Sequence, residues 1–141
     1  MKVFLDANVL ISVLNKEYPI FPYSSRVLSL ADHPNFNLYT SPTCLAIAFY
    51  FAEKKSGTTQ AKQKIEILTS KIEITPMDKS TVMPIFKNKS IKDFEDGLQY
   101  YAALRSKCAC IVTEDLDDFY FSEIEVLNSK HFLESYAYHV K

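Results

Sequence analysis

Three aspartates stand where the sequence places the ends of strands or the start of a helix. Asp6 closes the apolar run Val3-Phe4-Leu5, and Asp115 follows Cys110-Ile111-Val112-Thr113. Asp96 sits in Lys92-Asp93-Phe94-Glu95-Asp96-Gly97, at the start of a helical pattern. In open α/β sheets, ligand sites form beyond the carboxyl ends of the strands. If these carboxylates converge there, each pair at ~4 Å and an effective dielectric of ~20 costs about 4 kcal/mol. Such a group must hold protons or bind a cation. Oxygen ligands of this kind suit a hard divalent metal, and metal-activated water is the chemistry that follows.

Each acid also has a plainer reading. Asp6 can cap the helix that begins directly after it, although Asn8 can serve as that cap and release Asp6 for another role. Asp93 and Asp96 fit a capping-box variant, with Asp93 as cap. Glycine inside a helix costs about 1 kcal/mol relative to alanine. Gly97 therefore signals close approach of another backbone or a ligand beside Asp96. Glu114-Asp115-Leu116-Asp117-Asp118-Phe119 can be an acidic surface loop. In a site, Asp115 comes first after the strand and Asp118 second, while Glu95, Glu114 and Asp117 are assigned to solvent. Thr113 can orient a metal-bound water through its hydroxyl.

Rival chemistries lack their parts. An aspartyl nucleophile after the first strand calls for D-x-D, and the third position here is Asn8. The sequence has no glycine-rich phosphate loop and no serine in a nucleophile elbow. His33, His131 and His139 are scattered.

The elements that must position these acids alternate along the chain. Strands are expected at Val3–Leu5, Asn37–Thr40, Lys71–Thr75, Cys110–Thr113 and, at an edge, Glu123–Leu127. Helices are expected over Asn8–Leu14, Ser24–Ala31 after a loop containing Pro19 and Pro22, and Pro42 to about Lys55. The last of these is capped by Ser41 and stops at Ser56-Gly57. Further helices span Gln60–Thr69, Asp78 to about Phe86 and Phe94–Ser106, and a short one follows Asn128. Strands alternating with helices imply βαβ units and a mostly parallel sheet in an α/β protein.

The 141 residues suit a single domain spanning 1–141. The chain is 48% hydrophobic and 23% charged, with net charge −1, so a nucleic-acid surface must be a local patch. No apolar run approaches the roughly 20 residues of a membrane helix, which argues against a membrane partner. The acid at position 6 comes too early for a signal peptide, and the chain reads as cytoplasmic. Three cysteines give no disulfide framework, and Cys44, Cys108 and Cys110 read as small core residues.

Basic residues offer a phosphate-contacting rim: Lys54 and Lys55 at one helix end, then Lys62, Lys64 and Lys71, then Lys87, Lys89 and Lys92 before the acidic helix. A solvated face is the alternative. Tyr120 and Phe121, beside the acidic loop, can stack on single-stranded bases. Phe49, Tyr50 and Phe51 suit the core or a dimer face, since Ala46–Ala52 is more apolar than one helix face can bury.

Four segments in order resemble the motifs of the PIN-domain family, in particular its stand-alone VapC-like toxin ribonucleases. They are Val3 to Leu10, Leu38 to Pro42, Asp93 to Tyr100, and Ile111 to Phe119 with Asp115 and Asp118. The resemblance covers nearly the whole chain. It implies a three-layer α/β/α sandwich with a central, mainly parallel sheet, and Mg²⁺- or Mn²⁺-dependent cleavage of RNA. Carried over, Asp6, Asp96 and Asp115 match the core metal-holding acids, and Asp93 and Asp118 the auxiliary ones. A homodimer and an antitoxin protein that blocks the site are the implied partners. One position departs from the pattern: Ile47 stands where many PIN domains carry a glutamate, and Glu53 is nearly two turns further on. A catalytically degenerate PIN fold that binds nucleic acid or protein is therefore the alternative function.

Overall fold

The computed structural model describes residues 1–138. Its centre is a sheet of five parallel strands in the order β3-β2-β1-β4-β5. The strands are β1 (Lys2–Leu5), β2 (Asn37–Thr40), β3 (Glu73–Ile74), β4 (Cys110–Val112) and β5 (Glu125–Leu127). Val3, Phe4 and Leu5 are all fully buried, as are Cys110, Ile111 and Val112. Successive strand side chains point to opposite faces. Unbroken burial along β1 and β4 therefore requires helices on both faces, which makes the three-layer α/β/α sandwich.

The helices are α1 (Ala7–Leu14), α2 (Phe21–Ser29), α3 (Pro42–Ser56), α4 (Thr58–Lys71), α5 (Lys79–Lys87), α6 (Phe94–Arg105) and α7 (Ser129–Phe132). Most begin on the residue the sequence nominates. Ser41 Oγ accepts the Cys44 amide at 3.0 Å, Asp78 Oδ1 the Ser80 amide at 3.0 Å, and Asn128 Oδ1 the His131 amide at 2.8 Å. Gly57 closes α3 with φ +83°, a backbone state that side-chain-bearing residues rarely adopt. Cys44, Cys108 and Cys110 are buried free thiols.

Three expectations about elements are corrected. Pro22 is not in a loop but in the first turn of α2, where the N–H it lacks would have no helical partner. The third strand is only Glu73–Ile74, because α4 continues to Lys71. Its pairing is confined to Tyr39↔Glu73 and Thr40↔Ile74, which leaves a very short edge. Gly97 admits neither a backbone nor a ligand. A β-carbon there would stand 2.9 Å from Ile85 Cγ2 and 3.1 Å from Ile91 Cγ2, so the missing side chain lets α6 seat against α5 and the segment after it.

The chain runs from β1 to β2 on one side and later returns to place β4 on the other side of β1. The carboxyl ends of β1 and β4 therefore flank a topological switch point, the usual place for a ligand crevice. Leu5 pairs with Val112, and the Asp6 amide donates to the Val112 carbonyl at 3.0 Å. The two segments that follow these strands start side by side.

Gly97→Ala tests the packing of α6. Overpacking costs about 1–3 kcal/mol, against about 1 kcal/mol of helix propensity regained. Net destabilisation is expected as a lowered midpoint in denaturant unfolding. An unchanged or raised midpoint would show that Ile85 moves aside freely.

Candidate active site

β1 delivers Asp6 to the switch point, where it caps α1. Its Oδ1 accepts the Ala7 amide at 2.9 Å and lies 3.7 Å from Cys44 Sγ; its Oδ2 accepts the Thr113 hydroxyl at 2.8 Å. Capping and facing the crevice are thus one arrangement. The expectation that Asn8 takes over as cap is overturned. Asn8 Nδ2 donates instead to Thr113 Oγ1 and to Asp115 Oδ2, each at 3.1 Å, and its Oδ1 accepts the Glu114 amide at 3.1 Å.

Thr113, fully buried at the end of β4, is the centre of this network. Its hydroxyl donates to Asp6 and accepts from Asn8 and from the Asp115 amide at 3.1 Å. One donor and two acceptor sites are then all used. Orienting a metal-bound water, the role anticipated for this hydroxyl, is not left to it. It fixes Asp6 and the turn carrying Asp115.

α6 brings the third group. Asp93 Oδ1 accepts the Asp96 amide at 3.0 Å, so Asp93 is the cap and Asp96 the third helical residue. Asp96 is pushed up from 3.8 to about 7, first by burial and then by the charges of Asp93, Asp118, Asp6 and Glu95. Asp6 is raised mainly by burial, partly offset by the Thr113 hydrogen bond, with Asp115 adding to the rise. Asp118 is raised by burial and then by Asp115, Asp93 and Asp117. These mutual influences place Asp6, Asp93, Asp96, Asp115 and Asp118 in one electrostatic neighbourhood.

Glu95 joins it. The residue is exposed, as expected, yet its carboxyl is raised by burial, by Asp93 and by Asp6, so it lies within the field of the cluster. Glu114 is not simply solvated either; its Oε1 accepts the Ser129 amide at 3.3 Å and helps start α7. Gln99, one turn beyond Asp96, is buried; its Oε1 accepts the Ser41 hydroxyl, while its Nε2 has no protein acceptor among the described residues. That buried donor is available to a water or a ligand oxygen.

The lysines divide. Lys54 lies over the Tyr50 ring, 4.4 Å from its centroid, and Lys55 Nζ donates to the Asn15 carbonyl. Both stand in the last turn of α3, about 15 Å along the helix axis from Cys44 at 1.5 Å per residue. They are not on the rim of the acid cleft. Lys89 and Lys92 are exposed in the segment leading into α6, beside Asp93. Tyr120 is exposed, but Phe121 packs edge-on against Tyr100 at 5.1 Å and is not free to stack on a base. Ile47 is half-buried and packs against the hydrophobic core.

The donor set is carboxylate oxygen throughout, with charges that oppose one another, and this fits a hard divalent cation. Among the described residues no three His, Cys, Asp or Glu side chains form a ready-made metal cage. Mg²⁺ does not require one, since it binds through one or two carboxylates and keeps several waters.

A family profile described as "PIN domain" matches residues 2–117. The chain belongs to the PIN-domain family. Within it the chain is VapC-like: it is 31% identical over 140 residues to "Ribonuclease VapC1" of Aquifex aeolicus (strain VF5), covering 94% of each chain. In fold it is similar to VapBC2 from Rickettsia felis, solved bound to a DNA fragment from the promoter, with TM-score 0.69, 20% identity, and 91% and 98% of the two chains covered. VapBC-1 from nontypeable Haemophilus influenzae gives TM-score 0.69 and 20% identity, over 92% and 99% of the chains.

The raised Asp96 carboxyl predicts a pH effect. Between 3.8 and about 7 the folded, metal-free protein holds a proton on Asp96 that the unfolded chain has lost. The contribution of this group to stability is complete below the lower value and declines as pH rises through the upper one. In EDTA, the melting temperature of Asp96→Asn relative to wild type should therefore increase from about pH 5 to about pH 7.5, the span of that titration. A constant difference would mean that Asp96 titrates as an ordinary carboxylate.

Proposed function

We propose that this protein is a divalent-metal-dependent endoribonuclease acting as the toxin of a toxin–antitoxin pair. The observation that carries the reading is the meeting of mutually repelling acids at the β1/β4 switch point, fixed by Asn8 and Thr113. The family match and the ribonuclease relative supply the substrate class. Asp6, Asp96 and Asp115 would hold Mg²⁺ or Mn²⁺, with Asp93 and Asp118 acting directly or through water.

A bound divalent cation supplies charge neutralisation at the scissile phosphate and an acidified water. The chain's own part is positional. Thr113 and the Ala7 amide orient the two oxygens of Asp6. Asn8 holds the Asp115 carboxylate toward Asp6. Asp96, pushed up to about 7 in the metal-free protein, can carry a proton near neutral pH and would give it up on taking the cation.

An antitoxin-type protein partner is supported by the likeness in fold to VapBC2 and VapBC-1. An apolar cleft of about 440 Å³ among α1, α2 and α4, lined by Leu14, Phe21, Leu28 and Leu68, offers such a partner a surface. A homodimer is supported by Tyr50 and Phe51, which are 51% and 42% exposed on α3. Among the described residues no helix is long and apolar enough to cross a membrane. Ile47 favours the second reading, a PIN fold that binds RNA without cutting it, because its side chain supplies no oxygen ligand.

RNA cleavage by the purified protein should require Mg²⁺ or Mn²⁺ and stop in excess EDTA. Removing an outer partner of a metal site typically costs about 10–100-fold, so Asp6→Asn and Asp96→Asn should each lose at least about 100-fold. Activity in EDTA, or undiminished in both variants, contradicts the assignment. RNA binding without cleavage at any metal concentration selects the second reading. Light scattering should give a dimer mass, and a monomer would remove the dimer from the proposal.

A further inference from the structure

Two phenylalanines on different elements stack at the entry to α6, the helix that carries Asp96. Phe86, near the end of α5, is 67% exposed, and Phe94, the first residue of α6, is 46% exposed. Their ring centroids are 5.8 Å apart with 30° between the planes. Large apolar side chains normally lose such exposure on folding, because each is worth about 1.5–3 kcal/mol when fully buried. The pair lines a cleft of about 290 Å³ with Lys89, Ile91 and Lys92. Ligand clefts generally run from about 300 to 1,000 Å³, so this one suits a single flat group.

The segment between the two rings is braced. Asn88 Nδ2 donates to the Tyr101 hydroxyl at 3.2 Å, Asn88 Oδ1 accepts the Ser90 amide at 3.1 Å, and the Tyr120 hydroxyl donates to the Ser90 carbonyl. Tyr120 directly follows the 3₁₀ turn Leu116–Phe119, which carries Asp118. The same segment is thus tied to the acidic turn at one point and enters the Asp93 cap at its end.

Charge selects the occupant. Lys87, Lys89 and Lys92 are exposed, and none is in a salt bridge among the described residues. Three free cations in six residues are a local excess on a chain of net charge −1. Aromatic faces interleaved with lysines are the chemistry of single-stranded nucleic-acid binding: rings take bases and ammonium groups take phosphates. A duplex keeps its bases stacked internally and offers no free face.

We propose that Phe86 and Phe94 form a stacking platform for one base of single-stranded RNA, with Lys89 and Lys92 on its flanking phosphates, next to the acid cleft. The inference rests on the ribonuclease reading for its substrate class. It assigns to this enzyme a strand-selective subsite that the acids alone do not provide. A strand held there lies one residue from the cap of the helix bearing Asp96.

The chain has no tryptophan, so Phe86→Trp introduces a single fluorophore. In EDTA, where no cleavage occurs, a 12-nucleotide single-stranded RNA should quench its emission saturably, and a duplex of the same sequence should not. The Phe86→Ala/Phe94→Ala variant should bind the single strand about 10- to 100-fold more weakly, as loss of base stacking does. Melting temperature confirms that it is folded, and Phe94→Tyr should keep the affinity. Lys89→Gln/Lys92→Gln should lower the slope of log affinity against log salt by about 0.7 per charge removed. Absence of quenching, or wild-type affinity in the folded double-alanine variant, overturns the platform. A change in its mass by light scattering without a change in RNA affinity also overturns it, in favour of a protein contact. Phenylalanine-dependent binding without metal-dependent cleavage sinks the nuclease reading and leaves the platform standing. Cleavage with phenylalanine-independent binding does the reverse.

Discussion

The hydroxyl of Thr113 joins the end of β4 to the end of β1 by donating to the Asp6 carboxylate. Without that bond, Asp6, already stripped of water by burial and repelled by Asp115, would lose the donor that favours its charged form. Asn8 completes the restraint by bonding both Thr113 and Asp115. A hydrogen bond to a charged group is worth about 1.5–3 kcal/mol, comparable to one unfavourable pair at effective dielectric ~20. The parallel register that sets Leu5 opposite Val112 makes this bridge possible, and α6 is then free to bring Asp96 from the other side.

The outcome is a site that is strained electrostatically and settled geometrically. Asp96 records the strain most clearly, being raised to about 7 by burial and four neighbouring carboxylates. Its proton relieves the repulsion at low pH, and a cation held as proposed above would relieve it near neutral pH.

The strand-end acids were legible because short buried strands followed at once by helices leave few positions for a carboxylate. Asp93 as cap and Asp96 as a helix-borne acid came from the same reasoning. The order of motifs was enough to show the PIN resemblance and the mainly parallel sheet. What escaped was set by partners distant in sequence. Asn8 reads in the sequence only as a cap or as the third residue of D-x-N, and its bonds reach 105 and 107 residues away. The helical phase of Glu95 assigns it to solvent, yet its carboxyl is raised by burial and by the charges of Asp93 and Asp6. Gly97 signals a backbone or a ligand in the sequence, which does not reveal that the side chains of Ile85 and Ile91 arrive there. Composition places Lys54 and Lys55 on the rim, whereas the length of α3 carries them away from it.

On the reading proposed above, the acid cluster is held together in anticipation of a divalent cation. Thermal melting at neutral pH, with and without Mn²⁺, tests it without any need for RNA. A ligand that binds only the folded state raises stability by RT ln(1 + [L]/Kd), about 2.7 kcal/mol at a hundredfold excess over Kd. Wild-type protein should melt at a higher temperature in Mn²⁺, and the Asp6→Asn/Asp96→Asn variant should show no such rise. An equal rise in both proteins, or none in either, would contradict the claim.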